Sequence, residues 1–394
     1  MSVTTAAGFL ACGLAAGLKT SGAKDLALVV NTGPDYAAAG VFTTNRVKAA
    51  PVLWSQRVLT DAQLRAVILN SGGANACTGP EGFADTHRTA ELVADALAQD
   101  ADGLRQAADI AAIDVAVCST GLIGVRLPME KLTLAISDLV PLLGPDRGQA
   151  AAEAILTTDS TTKQTSYVDE GWSIGGMAKG AGMLAPGLAT MLVVLTTDAV
   201  VDSDQLHDQL ADACQRSFER IDSDGCMSTN DTVILMSSGA SGIRPTGGDF
   251  QAALDEICHD LALQLLADAE GAAHTITIHV DHAASEDDAV QVGRAIAHSN
   301  LFKCAVFGQD PNWGRVLAAI GTTTAEFEPD RIDVSFNGVP VCRDGSIGDP
   351  RDLVDLNGHD VQVDVNLRNG RHSATIWTND LTYDYVKENA EYST

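Results

Sequence analysis

The sequence predicts an α/β chain. Three observations carry that expectation: short apolar runs rich in β-branched residues recur along it, stretches with helical spacing separate them, and 36 glycines punctuate the alternation. With 394 residues, 45% of them hydrophobic, the chain can bury a large core and is long enough for two or three domain-sized units.

Residues 9–18 are small and apolar, and 25–30 read as a strand closed by Asn31-Thr32-Gly33-Pro34. Further strands are expected at 40–46 and 65–70, the second running into the turn Ser71-Gly72-Gly73-Ala74-Asn75-Ala76 before helical spacing over 86–98. An apolar run at 115–118 stops in Ser119-Thr120-Gly121. Such a turn offers backbone N–H groups and a hydroxyl, the equipment of an oxyanion hole, and is equally a turn closed by Gly121. A helix over 129–143 and an alanine-rich segment over 149–156 lead to Thr157-Thr158-Asp159, which reads as a helix end with turn chemistry.

Residues 179–191, Lys-Gly-Ala-Gly-Met-Leu-Ala-Pro-Gly-Leu-Ala-Thr-Met, read as a loop of small residues that runs into the apolar strand 192–198. Thr190 therefore stands where loop meets strand. Glycines and a proline can hold a strained peptide there while the strand fixes an attacking hydroxyl, so the junction suits self-cleavage. Were Thr190 Oγ1 to attack the Ala189 carbonyl, hydrolysis of the ester would leave Thr190 as a new N-terminus. Its α-amine, with an ordinary pKa of about 7.7–8.0, would serve as general base for its own hydroxyl. The same segment mimics phosphate loops without completing one. Gly175 to Gly180 lacks the Lys-Ser/Thr pair of a P-loop, and Pro186-Gly187 breaks the place where a dinucleotide-binding helix would follow Gly180-x-Gly182.

Beyond it, Leu206, Leu210, Ala213, Cys214 and Phe218 have helical spacing, and residues 221–232 form a polar loop, without the calcium-ligand order, before a strand at 233–236. A helix over 253–269 ends in Asp268-Ala269-Glu270-Gly271-Ala272, where Glu270 by itself reads as a solvated residue before a capping glycine. His274, His279 and His282 are weak metal candidates because the first two fall on opposite strand faces. Phe307 to Val316 reads as a turn before an apolar helix, and strand-like runs follow near 332–336, 361–367 and 374–378.

A net charge of −27 opposes nucleic acid and anionic membranes as partners. Eight cysteines without a Cys-x-x-Cys pair, no apolar leader and no 18-residue apolar run point to reduced, mostly buried thiols in a cytoplasmic protein.

Several of these segments resemble one family in the same order. Lys179-Gly-x-Gly-Met, Ala185-Pro186 and Ala189-Thr190-Met191 with Thr196-Thr197-Asp198 look like the cleavage and nucleophile segment of the ornithine acetyltransferases (glutamate N-acetyltransferases). Thr120-Gly121, Thr157-Thr158-Asp159, Asp222-x-Asp224-x-x-x-Ser228-Thr229-Asn230-Asp231-Thr232, Glu270-Gly271-Ala272 and Asp310-Pro311-Asn312-Trp313-Gly314-Arg315 are similar to further family segments. Cys226, Met227 and Ala269 depart from the pattern. The resemblance implies a layered α-β-β-α sandwich of two interleaved halves, cut into fragments 1–189 and 190–394 that pair again into a heterotetramer. It also implies acetyl transfer from N2-acetyl-L-ornithine to L-glutamate without metal or cofactor. Thr190 would be nucleophile and, through its amine, base. Thr120 and Gly121 would form the oxyanion hole, while Thr157, Lys179, Thr190, Glu270, Asn389 and Thr394 bind substrate. A related self-cleaving aminopeptidase or amidohydrolase, and a bifunctional enzyme also using acetyl-CoA, are the alternatives. The acidic chain, with Lys179 the only basic residue between Lys163 and Arg216, leads us to expect that acetyl-CoA is a poor donor.

Overall fold

The computed structural model describes residues 2–99, 110–169, 171–185, 191–246 and 248–391. Ala189, Thr190 and Thr394 lie outside them. In chain order the strands are β1 (Phe9–Leu14), β2 (Leu26–Asn31), β3 (Ala38–Phe42), β4 (Ala66–Asn70), β5 (Val115–Ser119), β6 (Lys163–Val168), β7 (Ser173–Lys179), β8 (Leu192–Thr197) and β9 (Thr232–Ser237). They continue with β10 (Thr275–Ala283), β11 (Asp333–Phe336), β12 (Val339–Arg343), β13 (Ser346–Ile347), β14 (Asp360–Asn366) and β15 (His372–Asn379). The helices are α1 (Ala50–Val58), α2 (Gly79–Gln99), α3 (Met129–Leu139), α4 (Gly148–Ala154), α5 (Ser203–Arg216), α6 (Asp249–Ala267), α7 (Glu286–Ala297), α8 (Asn300–Phe307), α9 (Trp313–Ile320) and α10 (Tyr383–Glu391).

Two sheets face each other. One has the order β1-β2-β4-β5 and the other β3-β9-β8-β7-β6. Every residue of β8 is buried, because its alternate side chains feed two cores. Leu192 and Val194 join the core between the sheets, with Ile68, Val117 and Met236. Met191, Val193 and Leu195 join the core under α5 and α6, with Leu210, Leu254 and Leu261. Helices α2 and α3 cover the other side of the first sheet through Val93, Leu97, Leu132 and Ile136. The α-β-β-α layering expected from the resemblance is therefore present.

The halves also interleave. Strands β3, β6 and β7 precede position 190 and share one sheet with β8 and β9, which follow it. Adjacent β7 and β8 pair antiparallel from Ile174↔Thr197 to Lys179↔Leu192, which leaves no room for a dinucleotide-binding crossover helix. A third sheet, β13-β12-β11-β14-β10-β15, packs on α7, α8 and α9 around its own core of Ile278, Val292, Phe302 and Phe336.

Two expectations need adjustment. The helix expected over 86–98 starts at Gly79, and Lys179 ends a strand instead of opening a loop. The tail forms α10, which returns to the site. Five of the eight cysteines are buried, while Cys77, Cys226 and Cys304 are exposed.

Candidate active site

Strand ends of both facing sheets converge on a cavity of about 340 Å³. Thr120 and Gly121, Thr157, Lys179, Glu270 and Asn389, drawn from five separate places in the sequence, all line it. Thr158, Gly182, Asp224 and Tyr385 complete much of the wall.

The turn after β5 is held by Thr120 N–H donating to Asn70 O at 3.0 Å and Gly73 N–H donating to Thr120 O at 3.0 Å. Gly121 has φ +129°, and a Cβ there would stand 2.8 Å from Gly73 N. Only glycine fits a backbone so placed.

Lys179 is 1% exposed and donates to Thr120 Oγ1 at 3.3 Å. Burial pushes its ammonium below the ordinary lysine range, Lys163 pushes the same way, and Asp159, Asp231 and Glu270 oppose them. Asp159 accepts from Lys163 Nζ at 2.6 Å, Gly180 N–H at 2.6 Å and Thr157 N–H at 2.9 Å. Burial raises the Asp159 carboxyl, yet the Lys179 and Lys163 ammoniums and these donors prevail and hold it well below the usual carboxylate range. Lys163 also donates to Asp268 at the end of α6. One buried network of alternating charge thus ties the turn after α4 to β6, β7 and α6.

Glu270 receives a hydrogen bond from Thr158 Oγ1 at 2.7 Å, and its own N–H donates to Ala181 O at 3.0 Å. Gly182 makes room for it, since a Cβ at that position would meet the Glu270 carboxyl at 2.7 Å. The obstructing atoms end a flexible side chain, so Gly182→Ala should fold with an unchanged melting temperature while displacing the carboxylate. Losing one charge-assisted contact should raise the KM for a cationic substrate about ten- to a hundredfold, measured by steady-state kinetics. An unchanged KM would contradict a binding role for Glu270.

Asn389 reaches the cavity from α10, its amide donating to Tyr385 O at 3.0 Å. Burial raises the Tyr385 hydroxyl to about 12. Asp224 takes Met183 N–H at 2.7 Å and Cys226 N–H at 3.1 Å, and burial raises its carboxyl. Asn230 bridges the two sheets, donating to Ala74 O at 2.7 Å and Ser119 O at 2.8 Å. Sequence reasoning named Thr157 but passed over Thr158 and Asp159, whose partners are more than a hundred and some twenty residues away respectively. His274 is engaged by Asp380 at 2.7 Å, and no cluster among the described residues could hold a metal ion.

A small cavity lined by a buried cation and a carboxylate has the make-up of an enzyme site suited to a zwitterionic small molecule. The ArgJ family model matches residues 10–394. Over 393 residues the chain is 58% identical to the arginine biosynthesis bifunctional protein ArgJ of Streptomyces coelicolor, covering 100% of both. It is likewise 58% identical over 394 residues to the protein of that name from Thermobifida fusca, again covering 100% of both. A solved ornithine acetyltransferase complexed with ornithine from Mycobacterium tuberculosis is 60% identical and has a TM-score of 0.45, covering 48% of this chain and 96% of that one. The chain belongs to the ArgJ family.

Proposed function

We propose that this protein is a glutamate N-acetyltransferase that cuts itself between Ala189 and Thr190 and moves acetyl from N2-acetyl-L-ornithine to L-glutamate in arginine biosynthesis. The observation that carries the reading is the convergence of Thr120, Gly121, Thr157, Lys179, Glu270 and Asn389 on one cavity, in a member of the ArgJ family.

In maturation, Thr190 Oγ1 attacks the Ala189 carbonyl, the C–N bond breaks, the nitrogen takes the hydroxyl proton, and water hydrolyses the ester. In turnover, Thr190 Oγ1 attacks the acetyl carbonyl while the Thr190 amine accepts its proton and returns it to the departing ornithine nitrogen. Glutamate's amine then attacks the acetyl-threonine ester, giving N-acetyl-L-glutamate and regenerating the hydroxyl. The Thr120 and Gly121 turn supplies oxyanion donors. Lys179 suits the substrate carboxylate or the polarised carbonyl, and Glu270 suits the δ-ammonium; Thr157, Asn389 and Thr394 complete the binding set. Fragments 1–189 and 190–394 stay together because cutting between β7 and β8 leaves the sheet ladder between them whole. We assign them to a cytoplasmic heterotetramer of two copies of each. No helix among the described residues is long and apolar enough to cross a membrane.

Acetylornithine carrying a radiolabelled acetyl group should leave label on the C-terminal fragment, and glutamate should chase it into N-acetylglutamate. Release as free acetate regardless of glutamate would favour the aminopeptidase-like hydrolase instead. The same assay run with acetyl-CoA tests the charge argument for a poor second donor, against which the word bifunctional in the relatives' names stands.

A further inference from the structure

One buried carboxylate next to the proposed junction has no part in the reaction sequence above. Asp231 immediately precedes β9 and is fully buried. Its Oδ1 accepts the Met191 N–H at 3.1 Å, and Met191 O in turn accepts the Thr232 N–H at 3.1 Å. The N–H so held belongs to the peptide that joins Thr190 to Met191. Asp231 Oδ2, equally buried, accepts no well-formed hydrogen bond from any described residue. Such a vacancy in a buried carboxylate costs stability unless a donor arrives.

Self-cleavage would turn the Thr190 amide nitrogen, with its single N–H, into an amine that has further N–H donors and can carry charge. The Thr190 nitrogen is separated from Met191 N by only one Cα and one carbonyl carbon, roughly 3–4 Å by standard bond lengths. Resting on the cleavage reading above, we propose that Asp231 is a positioning residue for Thr190: Oδ1 fixes the Thr190–Met191 peptide, and Oδ2 accepts a hydrogen bond from the α-amine released at Thr190.

Before cleavage, burial keeps the Asp231 carboxyl well above the usual carboxylate range, against the pull of Met191 N–H, Ser228 and the Lys179 ammonium. Once the amine is present, the carboxyl proton can pass to it, and the pair titrates together. Asp231 then favours the ammonium and sets the pH at which the amine becomes a free base. Among the described residues, the charged group that acts on this carboxylate is Lys179 on β7, and about Lys179 stand Asp159, Lys163, Glu270 and Lys19.

Asp231→Asn keeps an oxygen for Met191 N–H and replaces the second oxygen by a donor. We expect wild-type thermal stability, two fragments, and an acid limb of kcat/KM moved to lower pH by about 1–3 units, the effect of deleting a close opposite charge. The value of kcat at the optimum should fall about ten- to a hundredfold, as for a misplaced general base. A folded variant that stays in one piece also supports the proposal, because the leaving nitrogen of the acyl shift is the same atom. A cleaved variant with an unmoved acid limb overturns it, whatever the melting temperature. Should Asp231→Asn give no soluble protein, Asp231→Ser takes its place, and loss of solubility in both assigns the carboxylate to stability alone and overturns the proposal. Wild-type protein that remains in one piece overturns the cleavage reading itself, and the denaturing gel separates that outcome from a failure of Asp231.

Discussion

Thr190→Ala should run as one band on a denaturing gel where the wild type runs as two, and should lose acetyl transfer by about 10⁴–10⁶-fold. The magnitude is that of removing a nucleophile that acts as a unit with its base. In this chain both functions are assigned to one residue, so the substitution deletes the hydroxyl, prevents the cut and thereby withholds the amine. Stability should barely change. Met191, the next residue, is tied to Asp231 and Thr232 through backbone groups, and β8 is paired on both sides by β7 and β9. Thr190→Ser, which keeps a hydroxyl, should still give two bands and measurable transfer. An alanine variant that is cut, or that keeps more than about a hundredth of wild-type activity, would contradict the assignment of Thr190.

How much of this was legible varied with the source of each signal. Strands β2, β4, β8 and β9 are apolar and β-branched, and they were readable because their burial is recorded in composition. Strands β6 and β7 were not. Their sequences, Lys-Gln-Thr-Ser-Tyr-Val and Ser-Ile-Gly-Gly-Met-Ala-Lys, carry polar residues and a glycine pair. The glycines serve close packing that only the fold discloses: a Cβ on Gly175 would stand 2.2 Å from Ser2 O, and one on Gly176 would stand 3.0 Å from Leu195 and Leu261. Four strands of the last sheet, β10, β11, β14 and β15, were visible separately, while β12, β13 and the sheet as a unit were not. Its parallel pair, β10 with β14, joins segments more than seventy residues apart, as in Ile276↔Val361.

The site divides in the same way. Gly121 could be suspected from a strand ending in Ser-Thr-Gly, since a turn residue announces itself locally. Glu270 and Asn389 looked like surface residues, and family resemblance alone marked them. Asp159, Lys163 and Asp268 escaped because the network closes through a contact between Lys163 and Asp268, 105 residues apart, and each member read alone is an ordinary polar residue. Asp231 stood within a polar loop whose family likeness was noted, but the open position on its Oδ2 exists only in three dimensions.

Lys179→Met should lower kcat/KM about 10²–10³-fold while leaving both fragments folded, with the larger loss in kcat if the ammonium polarises the attacked carbonyl and in KM if it holds the carboxylate. Methionine is long and apolar enough to fill the 1%-exposed site, and Asp159 retains Lys163 at 2.6 Å as its counter-ion. Stability follows a definite sign. The folded-state pKa of Lys179 lies below the unfolded value, because burial and Lys163 outweigh Asp159, Asp231 and Glu270. Holding the charged form therefore costs stability at neutral pH, and that cost is relieved as pH rises through the folded pKa toward the ordinary lysine range. Near pH 7 the methionine variant should be as stable as the wild type or slightly more so, since replacing a buried ion by an apolar group of similar length removes a desolvation penalty. Activity runs the other way. Wild-type kcat/KM should fall on the alkaline side at a pH below the ordinary lysine range as the ammonium deprotonates, and the methionine variant should lack that limb. Steady-state pH profiles of the two proteins test both statements; a variant retaining a third or more of wild-type kcat/KM, or one whose alkaline limb is unmoved, would remove Lys179 from the site's chemistry.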